Sequence, residues 1–244
     1  MTAVGLIPAR FAATRFPGKP LATIAGKSMI QRVYEGARAA KSLRSVIVAT
    51  DDERIADACR AFGAEVAMTR SDHASGSDRI GEVAARLSDE IVVNIQGDEP
   101  LMEGYVVDAA VEALREDADV PIATVVHPLD PADRDDPNRV KVVLDQRGRA
   151  LYFSRSAIPY PRDPAVRAPL WQHVGLYAYR RDFLLRFIKM APTLAERSEC
   201  LEQLRALENG HGIRCAIIEG GWRSVAVDVP GDVALVEAAL RARS

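Results

Sequence analysis

What most limits the folds open to this chain is a repeated alternation, through its first half, of short apolar runs with amphipathic helices. Val4 to Ile7 is an apolar run halted at Pro8. Ser28 with Gln31 then forms a capping box, and Ile30, Val33, Tyr34 and Ala37 follow at helical spacing. Val46 to Thr50 is a β-branched run, after which Ile55, Ala58, Cys59 and Phe62 mark a helix ending at Gly63. Glu65 to Met68 followed by Ile80, Val83, Ala84 and Leu87 repeats the unit, as does Ile91 to Ile95 with a helix around Val106 to Leu114. Strands separated by helices must pair in parallel, so the pattern predicts an α/β fold whose sheet is covered on both faces.

The second half predicts a mixed sheet. A strand near Ile122 to Val126 is followed by Val140 to Leu144 and Ala150 to Ser154, which flank Asp145-Gln146-Arg147-Gly148, a hairpin signal. The Pro- and Arg-rich stretch Arg155 to Pro169 has the length of a lid or an interface arm. His173 to Tyr179 reads as a strand, Asp182 to Lys189 and Glu196 to Glu208 as helices, and Ile213 to Ile218 and Val225 to Val227 as the last strands. Val233, Val236, Ala239 and Leu240 mark a closing helix. A chain of 244 residues fits one large domain better than two equal ones.

With 32 basic and 34 acidic side chains there is no global field to recruit nucleic acid or an anionic membrane, so any positive charge that matters is local. Cys59, Cys200 and Cys215 are odd in number and far apart, which fits a reducing compartment. No run of about eighteen apolar residues is present, and the expectation is a soluble cytoplasmic protein.

Local positive charge lies just after the first strand, where Pro8 to Pro20 carries Arg10, Arg15 and Lys19 and no acidic residue. In open α/β sheets ligands bind beyond the carboxyl ends of strands, so a polyanion such as a nucleoside triphosphate fits this loop, although basic loops are also common solvated surface. The loop matches neither G-x-x-x-x-G-K-[ST] nor G-x-G-x-x-G. Asp98 follows the strand Ile91 to Ile95 and could hold Mg²⁺ against phosphates, or form a turn before Pro100. Asp228, before Pro230, is a second candidate carboxylate or a helix N-cap with Asp232 in the first turn. Two strand-end aspartates and a basic loop suit phosphoryl or nucleotidyl transfer. The loop Arg70 to Ser77 has short side chains and Gly76, so its backbone could approach a planar base, or it could serve only as a cap. His73, His127, His173 and His211 lack the spacing of a zinc site.

Taken together, I-P-A-R-F-A-A-T-R-F-P-G-K-P-L, V-A-T-D-D, T-R-S-D-H-A-S-G-S-D-R, N-I-Q-G-D-E-P, N-R-V-K-V-V-L-D, L-Y-F-S-R-S-A-I-P-Y, H-V-G-L-Y-A-Y and L-E-Q-L-R-A-L-E-N-G cover Gly5 to Gly210. In that order they resemble the 3-deoxy-manno-octulosonate (Kdo) cytidylyltransferase family. The resemblance implies a single nucleotide-diphospho-sugar transferase domain, Rossmann-like with a mixed, mainly parallel sheet, acting as a homodimer with dimer contacts around residues 140–190. It implies that Arg10, Arg15 and Lys19 hold the CTP phosphates, that Arg70, Ser75 and Gly76 frame the cytosine, and that Asp98 and Asp228 carry Mg²⁺. The acid sugar, by the same resemblance, meets Gln96, Arg155, His173, Tyr177, Glu202 and Gln203. The implied reaction joins CTP and Kdo into CMP-Kdo and pyrophosphate for lipopolysaccharide assembly. The same chemistry on an 8-amino Kdo or a sialic acid, or a non-catalytic nucleotide-sugar-binding paralogue, are the alternatives. One departure stands out: where the family ends near G-V-D-T-P-E-D-L, this chain has Asp228-Val229-Pro230-Gly231-Asp232 and so lacks the threonine and glutamate of a helix cap.

Overall fold

The apolar run after Thr2 becomes β1 (Ala3–Ala9), in which Val4, Leu6 and Ile7 are fully buried. A strand with both faces buried needs neighbours on both edges and cover above and below, and it has them. β4 (Ser45–Thr50) pairs with it in parallel from Val4 opposite Ser45 to Ala9 opposite Thr50, and β6 (Ile91–Asn94) pairs in parallel on the other edge. These elements belong to a computed structural model that describes residues 1–12, 16–163 and 165–243.

The chain divides into two compact units, Met1–Asp108 with Ser224–Ser244, and Ala109–Arg223. In the first, β1 leads through a 3-10 turn (Lys19–Leu21) to a small antiparallel hairpin, β2 (Thr23–Ile24) and β3 (Lys27–Ser28), and then to α1 (Met29–Arg38). Ser28 caps α1 by accepting from Gln31 N–H, as its sequence predicts. α2 (Glu53–Ala61) follows β4, β5 (Glu65–Met68) pairs in parallel with β4, and α3 (Gly76–Ala84) returns the chain to β6. The strand order is therefore β5-β4-β1-β6, all parallel. Each fully buried Val, Leu or Ile of this sheet contributes roughly 1.5–3 kcal/mol. α4 (Gly104–Glu116) follows, with the division between the units after Asp108.

The first unit is completed by the end of the chain. Val227 is buried with Ile24, Met29, Leu101 and Val236, the last from the C-terminal helix Asp232–Arg243. The expected strand Val225 to Val227 is not one. Val227 N–H donates to the Asp98 carbonyl at 2.9 Å and the Val227 carbonyl accepts from Lys19 Nζ at 2.9 Å, so a side chain takes the place of a ladder partner.

In the second unit β7 (Ile122–Pro128) pairs antiparallel with β10 (Trp171–Arg180) and parallel with β11 (Ile213–Ile217). The predicted hairpin is present as β8 (Lys141–Leu144) and β9 (Ala150–Ser154), with Gly148 at φ 73° and its N–H on the Asp145 carbonyl at 3.0 Å. α5 (Arg181–Phe187) falls where expected. The helix expected from Glu196 to Glu208 is instead α6 (Leu194–Glu199) and α7 (Leu204–Glu208), broken where Cys200 takes a left-handed φ of 52°. A buried pair, Arg205 Nε to Glu196 Oε2 at 2.9 Å, joins the two short helices across the break.

Candidate active site

Beyond the carboxyl ends of β1 and β6 the first unit opens a cleft of about 320 Å³. Its floor depends on close backbone approach. A Cβ on Gly97 would lie 3.0 Å from the Pro8 carbonyl oxygen, and one on Gly76 would lie 3.2 Å from Pro8 Cγ. Glycine at both positions lets the loop after β6 and the start of α3 draw in closely on the end of β1.

Lys19 is the centre of charge in the cleft. Gly18, at φ 72°, turns the chain back so that its N–H reaches the Phe11 carbonyl at 2.9 Å, and Lys19 follows at the head of the 3-10 turn. Its Nζ donates to Asp98 Oδ2 at 2.7 Å as well as to the Val227 carbonyl. Asp228, directly after Val227, lines the same cleft, as do Arg10 and Gln96. The two aspartates proposed from sequence are therefore brought together, with a lysine at one of them. Arg15 lies outside the described residues.

The C-terminal helix begins at Asp232, whose Oδ2 accepts from the N–H groups of Asp228 and Val229 at 2.7 and 2.9 Å. This carboxylate holds the loop that the absent threonine and glutamate left in question. Among the described residues no three His, Cys, Asp or Glu side chains form a preformed metal cage. Mg²⁺ needs none: it binds through one or two carboxylates together with phosphate oxygens and water, and Asp98 with Asp228 fits that donor set.

The opposite wall is the loop between β5 and α3. Ser75 caps α3 in a reciprocal box, its Oγ accepting from Asp78 N–H and its N–H donating to Asp78 Oδ2, both at 3.0 Å. Ser75 and Gly76 both face the cleft, so the cap and the wall are the same residues. Arg70 is largely exposed and its Nε pairs with Asp72 at 2.9 Å; the described lining does not include it. The lining does include His73 and Arg79, to which sequence reasoning gave no role. The signal was present, since Arg79 sits one turn before Val83 on the buried face of α3.

The remaining candidates lie in the second unit. His173 Nε2 is 3.0 Å from Thr124 Oγ1, its ring is 5.4 Å from that of Tyr177, and full burial pushes its imidazolium down to about 3, so it is neutral. Burial likewise pushes the Tyr177 phenol well above its ordinary value, with Glu202 adding to the effect. Gln203 is buried, and among the described residues its Nε2 has no hydrogen-bond partner. Arg155 Nε donates to the Glu199 carbonyl at 2.7 Å and Nη1 to the Pro137 carbonyl at 3.0 Å, while Nη2 has a long 3.5 Å contact with the Cys200 carbonyl. Arg155 thus joins the corner between α6 and α7, the stretch of chain that contains Glu202 and Gln203.

A family model described as cytidylyltransferase matches residues 4–214. The 3-deoxy-manno-octulosonate cytidylyltransferase of Syntrophotalea carbinolica is 52% identical over 99% of both chains, and that of Solibacter usitatus is 52% identical over 98% of this chain and 94% of its own. A solved CMP:2-keto-3-deoxy-manno-octonic acid synthetase complexed with CTP superposes with a TM-score of 0.94 at 42% identity, covering all of both chains. At 11% identity and a TM-score of 0.66, the 4-diphosphocytidyl-2C-methyl-D-erythritol synthase of Anaerococcus prevotii, covering 98% of both chains, shares the fold alone. With an α/β core, a cationic cleft carrying two aspartates, and full-length similarity of this degree, the chain belongs to the 3-deoxy-manno-octulosonate cytidylyltransferase family.

Proposed function

We propose that this protein transfers the cytidylyl group of CTP to Kdo, giving CMP-Kdo and pyrophosphate. The observation that carries the reading is Lys19 seated between Asp98 and the Val227 carbonyl in a cleft that also holds Asp228. The anomeric hydroxyl attacks the α-phosphorus in line; its O–P bond forms as the bond to the bridging oxygen breaks, the hydroxyl proton passes to solvent water, and pyrophosphate leaves with the bridging oxygen. Lys19, with Arg10 and Arg15, supplies fixed positive charge to the phosphates, and this charge counts most as the leaving group gains electron density. Magnesium, held by Asp98 and Asp228, would neutralise phosphate charge when bound. Ser75 and Gly76 place backbone groups against the base, with Arg70 at the outer edge of that loop.

The acid sugar is assigned to Gln96, Arg155, His173, Tyr177, Glu202 and Gln203. A carboxylate is the natural acceptor for the weakly engaged Nη2 of Arg155, and neutral His173 and Tyr177 offer polar atoms without charge. We read the whole chain as one working domain, because the family match runs through both units. Lipopolysaccharide assembly, a cytoplasmic location and a homodimer follow from the same reading; among the described residues no helix is long and apolar enough to cross a membrane. The test is pyrophosphate release with CTP, magnesium and a panel of acid sugars. Kdo should be preferred over 8-amino Kdo and sialic acids. Release with another sugar alone would reassign the substrate, and no release with any would overturn the reading.

A further inference from the structure

Two side chains one turn apart on α3 grip a single residue of the loop that leaves β5. Arg79 Nη1 donates to the Arg70 carbonyl at 3.3 Å and to Thr69 Oγ1 at 2.5 Å, and Glu82 Oε2 accepts the Arg70 N–H at 3.0 Å. Both backbone polar groups of Arg70 therefore end on one helix. The same Glu82 oxygen meets His73 Nε2 at 2.6 Å, while Arg86, one turn further along, pairs with Glu82 Oε1. Arg79 is anchored from behind by Asp51 at 3.1 Å, next to the end of β4, and is only 3% exposed.

This arrangement is more than a fastening of surface loop. His73 and Ser75, on either side of Ala74, form the cleft wall together with Arg79, and Glu82 holds His73 from outside the lining. A short-side-chain loop left to itself would lose conformational freedom only when a ligand arrived, which weakens binding without touching chemistry.

We propose that Glu82 and Arg79 are positioning residues for the nucleotide: by clamping Arg70 from both sides and fixing His73, they set the wall of the cleft before CTP enters. The inference rests on the reading of this cleft as the nucleotide site. It predicts a defect in affinity and none in turnover. Glu82→Ala should speed amide exchange across residues 69–75 in the free protein and raise the KM for CTP about tenfold, the scale of losing a hydrogen bond to a charged group, with kcat preserved. Glu82→Gln, which keeps a carbonyl acceptor for the Arg70 N–H, should recover most of the affinity. Should Glu82→Ala fail to fold, Arg79→Lys serves instead, since it keeps the charge facing Asp51 but cannot reach both Thr69 and the Arg70 carbonyl. Unchanged exchange and KM, or a fall in kcat with KM unmoved, would overturn the clamp. If the unaltered protein turned over no CTP, the function would be wrong, while the exchange measurement would still decide whether the clamp exists.

Discussion

Replacing Lys19 by Met removes the charge and keeps all but the last atom of the side chain's length, and the two partners of Nζ set the size of the effect. In the free protein Nζ already has an anionic partner, Asp98, and a carbonyl partner, Val227. Binding CTP exchanges these partners for phosphate oxygens, so the net gain from Lys19 in the ground state is small. As the bond to pyrophosphate breaks, charge accumulates on the leaving group, and the full electrostatic attraction is then felt. Loss of one such preorganised donor lowers kcat by about 10²–10³, whereas the Kd for CTP should rise by less than about tenfold. Stability also falls. A bond to a charged group contributes roughly 1.5–3 kcal/mol, but with the Lys19 and Asp98 side chains 17% and 30% exposed, screening reduces this to about 1–2 kcal/mol. For a chain of this size that is a drop in Tm of about 2–8 °C. Pyrophosphate release gives kcat, calorimetric titration of CTP gives Kd, and a thermal melt gives the third number. If Kd and kcat/KM change by the same factor while kcat is kept, Lys19 only binds, and its role in stabilising developing charge is refuted.

Asp98→Asn should remove nearly all transfer while the protein still melts cooperatively, because an amide is a poor magnesium ligand; near-normal turnover would end that assignment. Asp232→Ala should lower Tm by about 2–4 °C through loss of a loop anchor worth about 1 kcal/mol, whereas Asp228→Ala should chiefly impair transfer and recover in part at high magnesium; the reverse pattern in melts and assays would exchange their roles. Arg155→Ala should raise the KM for Kdo about tenfold or more with CTP binding spared, and a CTP defect would place Arg155 elsewhere. Because burial holds His173 down to about 3 against an ordinary 6.5, the unfolded chain binds the extra proton first as pH falls. Stability from this group is therefore complete above pH 6.5 and is lost progressively toward pH 3, at up to about 1.4 kcal/mol per unit. A His173→Gln variant should show a flatter fall in Tm over that window, and an identical profile would exclude His173 as its source.

Where the sequence speaks through periodicity, it speaks plainly. Both faces of β1 are apolar because both are covered, and Gly148 announces its hairpin because few other residues accept its φ. The misreadings arise where one residue type serves two ends. Val225 to Val227 has the composition of a strand, yet its carbonyl partner is a lysine more than two hundred positions earlier, which no local pattern reveals. Glu196 to Glu208 has helical spacing throughout, and only the left-handed turn at Cys200, a residue with no special liking for it, divides the helix. Asp232 reads on paper only as part of the first turn, and that its carboxylate reaches back to the N–H groups of Asp228 and Val229 is decided by the path of the loop. Arg79 could have been found, because a cation on the buried face of a helix requires partners, and the partners are what shape the site.

The cleft begun by Pro8, Lys19 and Asp98 is finished by Asp228, which comes after the whole of the second unit in the chain. On a ribosome adding about 5–20 residues per second, the early strands wait on the order of ten seconds for the segment that completes them. Until then Lys19 has no Val227 carbonyl to hold, and Ile24, Met29 and Leu101 have no Val227 or Val236 to pack against. A nascent or prematurely ended chain therefore exposes a greasy, half-built cup and cannot display the finished pair of aspartates, so competence to handle nucleotide is tied to completion of synthesis.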